Sequence, residues 1–215
     1  MGEGRYNTKG MYNKYDKKHR ERDSLDYYAT PPDETYNALE AIGIKFQDDD
    51  VILEPACGGG HMARGIYQYL IYTKSEAKVI ATDIHEHPQV FMYDHLTGEE
   101  YDFLGDDYDC GEEVDYIIMN PPYSTIEPFT IRALEIAKKG IIMLGRLQFL
   151  EGIGRYENIF TKRPPSDVYI YVDRIQCWKS GIKPPGSGVQ CYAWFYWDLT
   201  ESEGAPPKIH WIRRK

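Results

Sequence analysis

The stretch Tyr116-Ile117-Ile118-Met119-Asn120-Pro121-Pro122-Tyr123 sets an amide, two prolines and an aromatic ring at the end of an apolar, β-branched run. The run reads as a buried strand, because parallel strands covered on both faces lose the alternation of apolar and polar residues. Proline donates nothing to a sheet ladder and pushes the residue before it out of the helical region, so Asn120 is held extended where the strand stops. Asn-Pro-Pro is also ordinary turn chemistry, with Tyr123 as a loop aromatic. A second candidate is Glu54-Pro55-Ala56-Cys57-Gly58-Gly59-Gly60, a tight strand-to-helix turn whose missing side chains let a ligand approach the backbone. Gly58, Gly60 and Ala63 satisfy G-x-G-x-x-A, and Asp83 closes the next strand. A glycine-rich turn followed by such a carboxylate describes a site that holds a ribose by its diol, in a nicotinamide-binding domain or in another nucleoside site of this architecture. Asp83 as an unpaired strand-end acid is the plain alternative.

Elements that alternate strand and helix must position these residues. Thr30 as N-cap, Pro31 at the first helical position and the acids Asp33 and Glu34 predict a helix that runs to about Ile42, before Gly43. Strands are expected over 51–57, 78–84, 114–120 and 140–147, and helices over 61–72 and 126–138. The segment 85–113 reads mostly as loop, with a short strand near Val90-Phe91-Met92. This alternation predicts an α/β fold, a mostly parallel doubly wound sheet with helices on both faces. Residues 167–172 and 190–197 have no full helix between them, which predicts an antiparallel edge hairpin. The aromatics of the second of these strands read as core rather than as a base-stacking platform. The carboxyl ends of parallel strands open into one crevice, so Gly58–Gly60, Asp83 and Asn120–Tyr123 should converge on one ligand pair.

With these motifs in this order, the chain resembles the amino-group-modifying S-adenosylmethionine-dependent methyltransferases, and specifically the small phage-type N6-adenine DNA methyltransferases. The resemblance spans about residues 26 to 199. It implies a Rossmann-like methyltransferase fold and S-adenosyl-L-methionine as cofactor. Tyr28-Ala29-Thr30-Pro31 is similar to the family's N-terminal cofactor segment, and Glu54 to Gly60 to its first motif. Asp83 is similar to its ribose-binding acid, Asp102-Phe103-Leu104 to its adenine-contacting acid and apolar pair, and Asn120-Pro121-Pro122-Tyr123 to its catalytic motif. The implied cofactor contacts are therefore Tyr28, Thr30, Glu54, Ala56, Gly58, Gly60, Asp83, Asp102 and Phe103, and the implied catalytic residues Asn120, Pro121, Pro122 and Tyr123. The same NPPY motif occurs in enzymes that methylate RNA bases or protein glutamines, and a methyltransferase-like binding protein without turnover is a further alternative. No inserted block is long enough to be a separate target-recognition domain.

The implied chemistry suits an aminated ring. The exocyclic amine of adenine is nearly planar, its lone pair delocalised, and is a poor nucleophile. Acceptance of both its N–H bonds by the Asn120 side-chain oxygen and the Pro121 carbonyl would favour a pyramidal nitrogen. Tyr123 would stack on the flipped base, a contact worth about 1–3 kcal/mol. No general base need act before attack.

Composition bounds the partners. At 215 residues the chain suits one domain of 25–200, with a basic N-terminal arm over 1–24 and a tail over 201–215. No run approaches the roughly 18 apolar residues of a membrane helix and the N-terminus lacks a signal peptide's apolar centre, so no membrane partner and a cytoplasmic location are expected. Four cysteines without a CxxC pair and scattered histidines indicate no metal site. The net charge is −9, yet residues 1–24 carry seven basic against four acidic side chains, a net of +3 that leaves −12 elsewhere. The arm, Lys162-Arg163-Pro164-Pro165 and the loop 179–188 are the basic segments that could reach DNA phosphates, and such short elements predict relaxed or very short sequence specificity. A solvated tail is the alternative for the arm. A monomer or weak homodimer is expected.

Overall fold

Ile52, Leu53, Ile117, Ile118, Ile141 and Ile142 are fully shielded from solvent, and the strands that carry them form the centre of an eight-stranded sheet. The computed structural model describes residues 27–87, 95–98, 101–183, 185–186, 188–201 and 205–214. In chain order the elements are β1 (Tyr28–Ala29), α1 (Pro32–Ile42), β2 (Val51–Glu54), α2 (His61–Thr73), β3 (Lys78–Asp83), β4 (His95–Thr97), β5 (Tyr116–Met119), α3 (Ile126–Ile136), β6 (Gly140–Arg146), β7 (Asp167–Tyr171), β8 (Trp178–Lys179), β9 (Tyr192–Asp198) and β10 (Lys208–Ile212). Short helical turns cover Tyr123–Thr125, Leu147–Leu150, Ile153–Arg155 and Tyr156–Phe160.

The sheet order is β10-β7-β9-β6-β5-β2-β3-β4. β9 is antiparallel to both its neighbours, and the other pairings in this sheet are parallel. Alternate residues along the buried strands point to opposite faces and serve two cores. Ile118, Ile142, Leu144 and Trp194 join Leu39, Met62, Ile66 and Leu70 from α1 and α2. Ile117, Met119, Met143 and Phe195 join Phe129 and Ala133 from α3, together with Phe149 and Ile159. Helices thus cover both faces, as the strand and helix alternation predicts, and the aromatics of β9 lie in the core.

Two expectations change. β7 and β9 do pair antiparallel, but not as an edge hairpin: β9 sits between β6 and β7, and the edge is β10, drawn from the segment expected to be a tail. The alternation of Lys208, His210 and Ile212 on one side with Ile209 and Trp211 on the other is the strand period in a piece too short to stand out. His210 stacks on Tyr169 at 4.5 Å between ring centres and bonds Asp167 at 2.6 Å, fixing that strand's register. The cap of α1 is Pro31 rather than Thr30, and Pro32 takes the first helical position, because a residue that precedes proline is excluded from helical angles; ψ of Pro31 is 136°. The strand expected near Val90 lies outside the described residues, as does the arm 1–24, and the strand that pairs with β3 is β4. Gly43 ends α1 as expected, left-handed at φ 71°.

One glycine sets how closely α1 and α2 approach. A Cβ on Gly65 would lie 2.5 Å from the Pro32 carbonyl oxygen and 2.6 Å from the Thr35 Cβ, both parts of the α1 first turn. Gly65→Ala must therefore push the helices apart, and we expect a loss of about 1–3 kcal/mol in denaturant unfolding. Unchanged stability would show that this helix contact is not tight.

Candidate active site

Because β2, β3, β5 and β6 run parallel, their carboxyl ends at Glu54, Asp83, Met119 and Arg146 lie along one edge of the sheet, and the antiparallel β9 begins there at Tyr192, the register partner of Arg146. β3 flanks β2 on one side and β5 on the other, so the chain reverses its winding between them. This is the switch point where an α/β sheet opens a crevice. β1 and β8 form a separate two-stranded antiparallel clamp, Tyr28 opposite Lys179 and Ala29 opposite Trp178.

The glycine turn and the second-strand acid meet directly. The Gly58 N–H donates to Asp83 Oδ2 at 2.8 Å, and the His85 N–H donates to Asp83 Oδ1 at 2.9 Å. Gly58 and Gly60 adopt left-handed angles, φ 51° and 80°, which suits residues without a Cβ. Tyr27, which the sequence motifs do not mark, lies across this turn. Its hydroxyl accepts the Gly59 N–H at 2.9 Å and lies 3.0 Å from His61 Nδ1. Its ring is so close to Gly58 that a Cβ there would lie 2.2 Å from Cε2. Burial pushes the Tyr27 phenol up to about 12, and burial also lowers His61, so a protonated phenol donating to a neutral imidazole accounts for the pair. The Ser180 N–H bonds the Tyr27 carbonyl at 2.8 Å, tying the 179–188 loop to the same spot. Glu54 is 2% exposed and its Oε2 has no partner among the described residues. Burial raises its carboxyl well above the ordinary range; the Ala63 N–H opposes this and the Asp83 charge adds to it.

Asn120 follows β5 directly, extended by the prolines. Its Nδ2 donates to the Tyr28 carbonyl at 2.8 Å. An acceptor carbonyl can face only the NH2 side of an amide, so Oδ1 is the atom left as an acceptor. The Pro122 carbonyl is taken by the Thr125 N–H at 3.0 Å, whereas the Pro121 carbonyl receives no hydrogen bond among the described residues. Two acceptors, Asn120 Oδ1 and Pro121 O, therefore remain on adjacent residues at the strand's end.

Tyr123 departs from the expected open stacking face. Its hydroxyl bonds the Tyr192 hydroxyl at 2.6 Å, and the Arg146 guanidinium carbon lies 4.0 Å from its ring centre. The Tyr28 ring stands 5.8 Å away, tilted by 42°. β9 causes this, since its insertion beside β6 brings Tyr192 and Arg146 into register at the crevice. Of the remaining expected residues, Thr30 is buried beside Cys177, Ala56 packs under the glycine turn against the α3-side core, and Asp102 accepts the Leu104 N–H at 3.1 Å. Phe103 is 1% exposed against Tyr108 and Phe129, so it belongs to the core and presents no face to the crevice. Lys162 and Arg163 precede β7 and so lie at the opposite end of the sheet, where Arg163 holds the Asp198 and Glu201 carbonyls. The described residues hold no group of three or more His, Cys, Asp or Glu placed for a metal ion, and none of their helices is long and apolar enough to cross a membrane.

No protein-family model matches the chain, and no curated protein matches it. Solved structures do. A protein from Listeria monocytogenes assigned to the class I S-adenosylmethionine-dependent methyltransferases superposes with a TM-score of 0.60 at 11% identity, over 90% of this chain and 68% of that one. The type I restriction-modification methyltransferase subunit from Streptococcus thermophilus gives 0.59 at 10% identity over 84% of this chain, and a modification subunit assigned to a type I restriction enzyme of Vibrio vulnificus gives 0.58 at 13% over 95%. This chain spans about half the length of those two subunits, 46% and 50%. The chain has the Rossmann-like fold of these methyltransferases, a mostly parallel sheet with one antiparallel strand.

Burial of the Glu54 carboxyl, with Oε2 unpartnered among the described residues, has a measurable cost. The folded chain holds its proton more tightly than the unfolded chain does, so stability falls as pH rises above the ordinary value of 4.5. Glu54→Gln removes that loss. It is expected to melt higher than the parent at pH 7, by about 2–4 °C for each kcal/mol recovered, with the difference closing near pH 4. Equal melting temperatures at pH 7 would show that the charge has a partner.

Proposed function

We propose that the chain transfers a methyl group from S-adenosyl-L-methionine to an exocyclic amino nitrogen, N6 of adenine in DNA. The observation that carries this reading is the 2.8 Å bond from Asn120 Nδ2 to the Tyr28 carbonyl, which leaves Oδ1 beside the free Pro121 carbonyl. Two neighbouring acceptors without a donor between them fit an NH2 group. They do not fit a hydroxyl, which has one proton to offer.

The crevice residues fit the cofactor. Each Asp83 oxygen takes one N–H and keeps capacity for a ribose hydroxyl. The buried, partnerless Glu54 Oε2 suits an ammonium group, and the glycine turn admits a ligand to its backbone once the Tyr27 ring and hydroxyl give way. When bound, the cofactor supplies a sulfonium methyl as the electrophile. Asn120 Oδ1 and the Pro121 carbonyl would accept hydrogen bonds from the two amine N–H groups and turn the nitrogen lone pair toward that methyl. Pro121 and Pro122 hold the acceptors still, so little reorganisation accompanies the reaction. As the N–C bond forms and the S–C bond breaks, the nitrogen would become positive and acidic enough to give its extra proton to water, so no side chain in the crevice has to act as a base first.

Methyl-labelled cofactor incubated with DNA, RNA and protein tests the reading, with the labelled nucleoside or residue identified after digestion. N6-methyladenine from DNA is expected. Label in RNA or on a protein glutamine would move the same chemistry to another substrate, and no label in any fraction would contradict catalysis. Asn120→Ala is expected to lower kcat by about a hundredfold or more while cofactor affinity stays close to the parent's, because its contact strengthens only as the nitrogen pyramidalises. Retention of most of the activity would remove Asn120 from the reaction.

A further inference from the structure

Arg146 is a half-buried cation without an anion. It closes β6 at the mouth of the crevice, its Nε is shut off from solvent with no hydrogen-bond partner, and it makes no ion pair among the described residues. What sets Arg146 apart is the missing anion: Arg132, whose Nε likewise has no hydrogen-bond partner, pairs with Glu135, Arg214 pairs with Glu34, and Arg155 and Arg163 hold backbone carbonyls. The neighbours of Arg146 are neutral. Tyr123 lies under its guanidinium, and the nearby Tyr192 phenol and Cys177 thiol are both pushed up to about 12 by burial. In a chain with 34 acidic side chains, a half-buried guanidinium left without a carboxylate is a charge that a ligand's negative group would offset.

The geometry suits one kind of anion. Stacking on Tyr123 fixes the plane of the guanidinium while its edge N–H groups stay available, and that flat fork matches the two free oxygens of a phosphodiester. The fork stands three residues beyond Met143, the β6 register partner of Met119 at the β5 end, on the same crevice edge as the Asn120 and Pro121 acceptors. A glutamine side chain presents no anion there. We propose that Arg146 grips the phosphodiester of the DNA nucleotide whose base enters the crevice; this rests on the methylation reading above and names the group that recognises its substrate.

The test compares parent, Arg146→Gln and Arg146→Lys, each checked for folding by its melting curve. Binding to a fluorescent adenine-containing DNA duplex and to its RNA counterpart is followed across a salt series with S-adenosylhomocysteine present, and labelled methyl transfer is followed in parallel. Arg146→Gln should raise the KM for DNA about tenfold or more with the cofactor Kd unchanged, and should flatten the slope of log affinity against log salt by about 0.9, the loss of one phosphate contact. Arg146→Lys should keep the parent slope. Weaker binding with the parent slope would mean that Arg146 only props Tyr123, which overturns the proposal; so would an Arg146-dependent slope for RNA and not for DNA. If the parent labels DNA adenine while Arg146→Gln keeps its slope, the phosphate contact fails and the methylation reading stands. If the slope depends on Arg146 but no nucleoside is labelled, the reading fails and the contact stands.

Discussion

The hydrogen bond from the Asn120 amide to the Tyr28 carbonyl decides what the crevice can do, because it determines which end of the amide faces outward. Its acceptor belongs to a two-residue strand that pairs, among the described residues, with β8 alone, so the orientation of a side chain at the end of a central strand depends on a clamp outside the main sheet. The same clamp carries Tyr27, which lies on the glycine turn, and Tyr28, whose ring stands beside Tyr123. Residues 27–29 thus touch both the glycine turn and the Asn120–Tyr123 end of the crevice. A displacement of Tyr27 from Gly59 would be felt at Asn120 through a single intervening peptide.

Much of this was legible in the sequence, for physical reasons. Long apolar β-branched runs with glycine or proline stops mark buried parallel strands strongly, and the positions of β2, β3, β5 and β6 follow from them. The convergence of Gly58, Asp83 and Asn120 follows in turn from parallel topology. What escaped was tertiary. Insertion of β9 between β6 and β7 cannot be read from a strand's own residues, and it is this insertion that sets Tyr192 and Arg146 against Tyr123. Phe103 reads as a ligand contact in its motif, whereas its aromatic neighbours bury it. Tyr27 was visible only as one of two adjacent tyrosines before Ala29, and which of them would reach the glycine turn depended on the pairing of β1 with β8.

Charge is arranged in the same spirit. The acidic body places its interior acids: Asp83 takes one backbone N–H on each oxygen, Glu54 is half satisfied, Glu34 pairs with Arg214, and Asp50 pairs with Lys139 at the far end of the sheet. The Asn120–Tyr123 side of the crevice holds neutral tyrosines, a neutral thiol and one arginine. The proposed amine and phosphodiester would meet no carboxyl group there, while the side that faces the proposed sulfonium and ammonium groups holds two, Glu54 and Asp83.

Calorimetric titration of S-adenosylmethionine into the parent chain and into folded Asp83→Ala addresses the central claim most directly, because everything assigned to the crevice requires that this cofactor occupy it. Saturable binding by the parent is predicted, with affinity lower by about 10- to 150-fold in the variant, the loss expected for hydrogen bonds to a charged acceptor. A parent chain that binds no S-adenosylmethionine, or a variant that binds it as tightly as the parent, would contradict the account.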